Sequence, residues 1–313
     1  MTTITAESRP GTPDRENEDW YAASGDLVVV LDGATIRTDT GCVHGLPWFV
    51  RQLGAAIMTT ANNRDQGLAT ALSTAIQHVV DLHSDTCDLT HPGTPSAAVG
   101  LVRRNDDQLE WLVLGDITVM VEATDGLTVT VDDRVSKTAL AERAECNRYL
   151  ASDPAKPAVI RAMKDVELAS RNVKGGYWIA SVDPAAAEHA HTGSTAYQDV
   201  YRFGVCSDGT MRALDLTGID SHEGVMRVLR QRPGLLLDQV RQAEHADPEG
   251  ARNPRNKITD DATVVYVDVQ PKPARELTDA ERQAALDSNQ TAATARTGGN
   301  LFGAIPTRDG RVL

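Results

Sequence analysis

Residues 27–31 read Leu-Val-Val-Val-Leu, an unbroken apolar run rich in β-branched side chains that stops at Asp32-Gly33. Alternating apolar and polar residues would mark a strand with one wet face. A continuous run marks a strand covered on both faces, so the chain must supply a packed layer above it and another below. The same arrangement, an apolar run abutting an acidic residue, recurs along the chain. Leu109 to Leu114 runs into Gly115-Asp116, and Tyr201 to Cys206 into Ser207-Asp208-Gly209. Asp260-Asp261 immediately precedes Ala262 to Val269.

The other periodic segments supply the layers. Ile4 to Ser8, Ala97 to Arg103, Thr118 to Ala123 and Leu127 to Val131 read as strands, the last two joined by the hairpin dipeptide Asp125-Gly126. Leu46, Phe49, Val50, Leu53, Ala56 and Ile57 recur at helical spacing and predict a helix over 45–62. Leu68, Leu72, Ile76, Val79 and Val80 predict a second over 66–82. Further helices are expected at 137–150, 158–170, 222–229 and 235–245, and a short strand at 175–180. Strands in meanders and helices in pairs, without strict βαβ alternation, predict an α+β fold of two antiparallel sheets with flanking helix pairs. Residues 1–270 are expected to form this domain. After Pro271, the capping-box spacing of Thr278 to Glu281 predicts a short helix, and the small, polar stretch beyond it reads as a poorly ordered tail.

The chain has 313 residues and a formal charge of -13. Neutralising nucleic-acid phosphates calls for a basic chain or patch, so no nucleic-acid partner is expected. Clustered carboxylates suit divalent cations instead. No apolar stretch approaches the roughly 18 residues of a membrane span, so no membrane partner is expected. The N-terminus lacks the plan of a signal peptide, and the expected location is the cytoplasm. Cys42, Cys87, Cys146 and Cys206 show neither C-x-x-C nor zinc-finger spacing and are expected to pack singly.

An aspartate at the end of a buried strand is held rigidly at the rim of the core. Several gathered there repel one another, and a hard cation with oxygen ligands removes the conflict. A glycine after the aspartate lets the backbone turn sharply and frees its carbonyl as a ligand. Asp-Gly is equally a common turn dipeptide, so a single such motif carries no function, and Asp125-Gly126 is read as a turn alone.

The ordered set is more specific than its parts. Asn17-Glu18-Asp19, Asp32-Gly33, Gly115-Asp116, Ser207-Asp208-Gly209 and Asp260-Asp261-Ala262-Thr263-Val264-Val265 together resemble the motif series of the metal-dependent protein phosphatase 2C (PPM-type) family. The resemblance covers roughly residues 1–270. It implies a central sandwich of two antiparallel β-sheets with a pair of α-helices on each outer face. It implies a Mg²⁺- or Mn²⁺-dependent serine/threonine protein phosphatase, which cleaves a phosphorylated protein or a small phosphate ester with a metal-activated water. On that resemblance Asp32 bridges two ions and Gly33 gives its carbonyl to one of them. Glu18 ligates the first ion, with Asp19 behind it, and Asp208 and Asp260 hold the second. Asp32, Asp208 and Asp260 carry the catalytic expectation, and Asp116 matches a ligand of a third ion.

The chain departs from the family pattern in several places. The family's D-G-x-G-G, often with a histidine at x, is here Asp32-Gly33-Ala34-Thr35-Ile36, and His44 is the nearest histidine. Arg212 stands four residues after Asp208, where a third ion needs a carboxylate. It would repel a cation there and suits a phosphate. Arg15, three residues before Glu18, is a second phosphate-binding candidate. Arg171 to Trp178 stands in the place of the family's flap and reads either as a substrate lid or as aromatic core filling. His189 and His191 would share one side of a strand, with no third ligand evident. These departures motivate an alternative: a catalytically weak or inactive phosphatase-like protein that binds a regulatory partner.

Overall fold

All five residues of Leu27–Leu31 are buried, but odd and even positions meet different layers. Leu27, Val29 and Leu31 pack against helical residues such as Phe49, Leu53, Leu72 and Ile76. Val28 and Val30 pack against Val205, Val265 and Val267 of a second sheet. Period-two side-chain alternation thus gives one strand two apolar faces and makes a layered sandwich.

The computed structural model describes residues 2–35 and 39–269. Its strands are β1 (Thr3–Arg9), β2 (Asp19–Ala23), β3 (Leu27–Gly33), β4 (Ala97–Asn105), β5 (Gln108–Leu114), β6 (Thr118–Ala123), β7 (Gly126–Val131), β8 (His191–Ala196), β9 (Val200–Cys206) and β10 (Ala262–Asp268). Its helices are α1 (Leu46–Thr60), α2 (Leu68–His83), α3 (Leu140–Cys146), α4 (Lys156–Ala169), α5 (Asp208–Met211), α6 (Ala213–Leu216), α7 (His222–Gln231) and α8 (Pro233–His245). The sheets are ordered β1-β10-β9-β6-β7 and β2-β3-β4-β5-β8, with every neighbouring pair antiparallel. Helices α1 and α2 cover the outer face of one sheet. Val225 and Leu229 of α7 and Leu236 and Val240 of α8 cover the other through Met120, Val264 and Tyr266. The expected α+β sandwich with helix pairs on its outer faces is what the chain forms.

A buried ion pair fastens α1 and α2 to their sheet. Arg103 of β4, 1% exposed, donates to the carbonyls of Ala61, Asn63 and Gln66 between the two helices and to the Glu110 carboxylate at 2.8 Å. A guanidinium tolerates such burial only with its donors satisfied.

Several local expectations need correction. No strand forms at 175–180: Tyr177 and Ala180 make single bridges to Arg171 and Ala97. Tyr177 is buried, and Trp178 stacks on His189 with ring centroids 3.4 Å apart. The aromatics therefore fill space rather than form an open lid, and the Arg171 guanidinium ties the segment to the carbonyls of Pro92 and Thr94. The helix expected over 137–150 is only Leu140–Cys146, and Ala139, at φ +54, keeps it from starting earlier. His189 ends a 3₁₀ turn and His191 begins β8, so the two rings share no strand face. The sequence reading missed β2 and β8. Both are edge strands with exposed positions, and so lack the apolar run that marks an interior strand. Among the described residues no helix is long and apolar enough to cross a membrane. The segment read as a short helix and tail, 271–313, lies outside the described residues.

Candidate metal centre

Strand register delivers the acidic residues to one end of the sandwich. Cys206, the last residue of β9, pairs with Val264 of β10 and Thr118 of β6, so Asp208, Asp260 and Asp116 leave their ladders at one edge. In the other sheet Asp19 is the direct cross-strand partner of Asp32.

Two glycines let these segments touch. A Cβ on Gly33 would stand 2.5 Å from the Glu18 carbonyl oxygen, and one on Gly209 would fall on the Asp261 carbonyl. Neither glycine has a positive φ. Close approach, rather than the sharp turn expected from the sequence, is what demands glycine there. The turn lies instead at Gly115, with φ +82. Asp261, to which sequence reasoning gave no role, accepts from the amides of Gly11 at 2.6 Å and Glu18 at 2.7 Å. It fastens the loop before β2 to the start of β10.

The carboxylates share one low-dielectric environment. Burial pushes Asp19 up to about 8, tempered by the nearby Thr263 and Ser207 hydroxyls and reinforced by Asp261 and Asp208. Burial and then Asp208 push Asp116 up to about 7. Asp32 rises well above the usual carboxylate range through burial, with Asp19, Asp208, Asp116 and Asp260 each adding. Asp260 is raised by burial and Asp208, against the pull of Lys257 and Arg212. The charge of Asp208 adds to all four, which requires the groups to lie near one another in a weakly screened site.

The two halves of the cluster differ in their fit to a cation. Both Asp19 carboxylate oxygens are buried, and the Thr263 and Ser207 hydroxyls beside them do not offset the loss of water, so its pKa stays raised to about 8. A buried carboxylate in that state needs a proton or a positive charge. The half formed by Asp19, Asp32, Glu18 and the Gly33 carbonyl therefore fits a divalent ion, and the Thr35 hydroxyl orients Glu18 by donating to its Oε2. The Asp260 half already holds its counter-charges. Asp260 Oδ2 accepts from Arg212 at 2.8 Å, and Oδ1 accepts from the Lys257 ammonium at 2.5 Å. Arg212 also donates to Glu244 at 2.7 Å. Burial alone would lower the Lys257 pKa, but Asp260, Asp208 and Asp32 outweigh it and hold the ammonium charged. A second ion at Asp260 must displace these groups or share the carboxylate with them, so this half does not fit an ion as it stands.

The remaining predicted residues fall as follows. Arg212 is directed at carboxylates rather than at open space. Arg15 lines a cleft of about 290 Å³ together with Glu18, Thr35, Lys257 and Asp260. His44 lies instead beside Cys42 and Cys87. Those three form the one trio of histidine, cysteine or acidic side chains among the described residues whose donor atoms all lie within 4.8 Å of one another. The carboxylates are spread more widely, a spacing that suits an ion retaining several of its waters. Lys257 escaped the sequence reading. The only available signal was a lysine three residues before the Asp260-Asp261 doublet.

No family model matches the chain, and no curated protein does either. Solved structures do match. The serine/threonine phosphatase PstP/Ppp of Mycobacterium tuberculosis aligns with a TM-score of 0.51 and 17% identity, over 86% of this chain and 99% of that one. The catalytic domain of PstP in complex with 2 manganese ions aligns with a TM-score of 0.50 and 14% identity, over 85% of this chain and 97% of that one. The serine/threonine phosphatase Stp1 of Staphylococcus aureus gives a TM-score of 0.50 and 11% identity, over 86% and 95%. Identities this low bear on architecture, and with the two five-stranded sheets and their outer helix pairs they establish that this chain has the fold of the PPM-type, protein phosphatase 2C-like, serine/threonine phosphatases.

Proposed function

We propose that this chain is a divalent-metal-dependent phosphoester hydrolase, a serine/threonine protein phosphatase whose ion is Mn²⁺ or Mg²⁺. The observation that carries the reading is that strand register gathers Asp19, Asp32, Asp116, Asp208 and Asp260 at one end of the sandwich, where burial raises Asp19, Asp32, Asp116 and Asp260 and the charge of Asp208 adds to each. Such a cluster ionises comfortably only around positive charge. The neighbour that binds 2 manganese ions supports the choice of ion.

In this reading Glu18, Asp32 and the Gly33 carbonyl hold the ion, and Asp19 stands behind Asp32 across the β2–β3 ladder. A divalent cation held there would supply the acidity that lets a water attack phosphorus near neutral pH, and would offset charge on the phosphoryl oxygens. Asp32 and Asp208 orient the attacking water by accepting its hydrogens. Lys257 and Arg212 contribute fixed positive charge at Asp260. Arg15, in the cleft, clamps the phosphate of the substrate. No histidine follows Asp32-Gly33, so the leaving alkoxide takes its proton from solvent in the cleft.

The test is hydrolysis of p-nitrophenyl phosphate and of a phosphothreonine peptide in Mn²⁺ and in EDTA. Turnover is expected only with the ion, and Asp208→Asn should lower it by roughly 100-fold or more. Turnover that persists in EDTA overturns the reading. One observation favours a second reading, a phosphatase-like interaction protein: both oxygens of Asp260 are held by the chain's own cations. Absent turnover on both substrates, with no Mn²⁺ binding by calorimetry, selects that second reading.

A further inference from the structure

Cys42 and Cys87 share no ligand motif in sequence, but the fold brings their sulfurs to 3.4 Å. The backbone around each is fixed. Gly41 takes φ +62, and its carbonyl accepts from the Asp88 amide at 2.8 Å, fastening the loop before α1 to the segment after α2. The Thr40 hydroxyl accepts from the Cys42 amide and donates to the Cys42 carbonyl, both at 3.1 Å. Beyond the end of α2, the amides of Thr86 and Cys87 still donate to the His83 carbonyl, at 3.2 and 3.0 Å.

His44 completes a triangle. Its Nδ1 lies 3.3 Å from the Cys87 sulfur and 3.9 Å from the Cys42 sulfur. The ring is held by stacking on Trp48, with centroids 4.2 Å apart at 22°. Trp48 in turn meets the edge of His83 at 5.3 Å. Around tetrahedral zinc, with Zn–S near ~2.3 Å and Zn–N near ~2.0 Å, two sulfurs stand about 3.8 Å apart and a sulfur and a nitrogen about 3.6 Å. The observed separations of 3.4, 3.3 and 3.9 Å lie close to those values. A disulfide would require the sulfurs about 2.05 Å apart and would give His44 no part.

We propose that Cys42, His44 and Cys87 form a zinc site with its fourth position open to solvent. Thiolate and imidazole donors select Zn²⁺ over Mg²⁺ and Mn²⁺, which take oxygen ligands. The chain then carries two chemically distinct centres. The proton balance is explicit: each thiol releases its proton on binding, His44 binds as neutral imidazole, and up to two protons leave per ion. Occupancy cross-links the segment just before α1, which carries Cys42 and His44, to the segment just after α2, which carries Cys87.

The test uses the full chain, reduced and stripped with EDTA, titrated with Co²⁺. One equivalent should produce the near-ultraviolet thiolate-to-cobalt charge-transfer band and visible tetrahedral bands, with Zn²⁺ displacing the cobalt. Cys42→Ser and Cys87→Ser should each abolish the charge-transfer intensity of the two-thiolate site. His44→Ala should weaken Zn²⁺ binding by at least about 10-fold. In the unmodified protein one equivalent of Zn²⁺ should protect two thiols from alkylation, a readout that needs no variant to fold. Asp32→Asn should keep the cobalt band, so the result is independent of the carboxylate centre. A wild-type protein without the band overturns the proposal. So does one whose Cys42 and Cys87 oxidise to a disulfide in air as fast with Zn²⁺ as without it.

Discussion

The carboxylate cluster makes the stability of the metal-free protein depend on pH in a direction opposite to that of ordinary paired carboxylates. Asp19 is pushed up to about 8 and Asp116 to about 7 from the ordinary aspartate value of 3.8. Above about pH 4 the unfolded chain has released protons that the folded chain still holds, so stability falls as pH rises, by about 1.4 kcal/mol per pH unit for each such group. The loss is complete once pH exceeds the folded values. Asp32 and Asp260 are raised and act with the same sign. From about pH 5 to about pH 8 one group shifted to about 7 or 8 loses roughly 3 kcal/mol, and the coupled cluster loses less than the sum of its members. For a domain of this size that corresponds to a fall in Tm of very roughly 10 °C. His83, lowered by burial, acts in the opposite direction, because its neutral form is the one the fold retains. The informative quantity is therefore the difference between Mn²⁺ and EDTA. A cation binds the ionised cluster and stabilises by about 2.7 kcal/mol at 100 times its Kd. Differential scanning calorimetry should show the Mn²⁺–EDTA gap close to zero near pH 5 and widening steadily to pH 8. A gap constant across that range, or a Tm in EDTA that rises with pH, would refute the claim that these carboxylates share a buried site.

Three further perturbations test other parts of the structure. Lys257→Ala removes the ammonium from Asp260 Oδ1, and calorimetry should show Mn²⁺ binding tightened by roughly 10-fold, about 1.4 kcal/mol; weaker binding would mean that Lys257 supports the ion instead of competing with it. Arg103→Ala leaves Glu110 and the carbonyls of Ala61, Asn63 and Gln66 without their buried donor, and urea unfolding should show a loss of about 3–5 kcal/mol. Gly100→Ala forces a Cβ onto the Ile117 side chain and to 2.9 Å from Val205 Cγ1 between the sheets, which should cost about 1–3 kcal/mol of stability, seen as a lower urea midpoint with an unchanged slope.

What the sequence revealed follows from which physical signals are local. Interior strands advertise themselves as apolar runs: Leu27–Leu31 of β3 and Val200–Cys206 are buried at every position. In the edge strand Asp19–Ala23 only Asp19 is buried, the half-buried Trp20 and Ala22 alternate with the exposed Tyr21 and Ala23, and its identity rests on pairing with β3. The same distinction governs the candidate centre. Its acidic residues were legible because each abuts a strand end, and strand ends gather where register places them. The counter-charges were not legible. Lys257 and Arg212 reach Asp260 from a loop and from the junction of two short helices, and no periodicity marks a basic side chain folded inward. Cys42 and Cys87 are a third case: packed helices bring them together across a gap in sequence that conforms to no ligand spacing. A motif therefore identifies the groups that call for positive charge, and only the packed structure identifies what supplies it. For this chain that difference is functional. Asp19 and Asp32 stay raised by burial and their acidic neighbours, while Asp260 is held directly by Lys257 and Arg212, so the two halves of the centre should load metal with separable affinities rather than as a single cooperative pair.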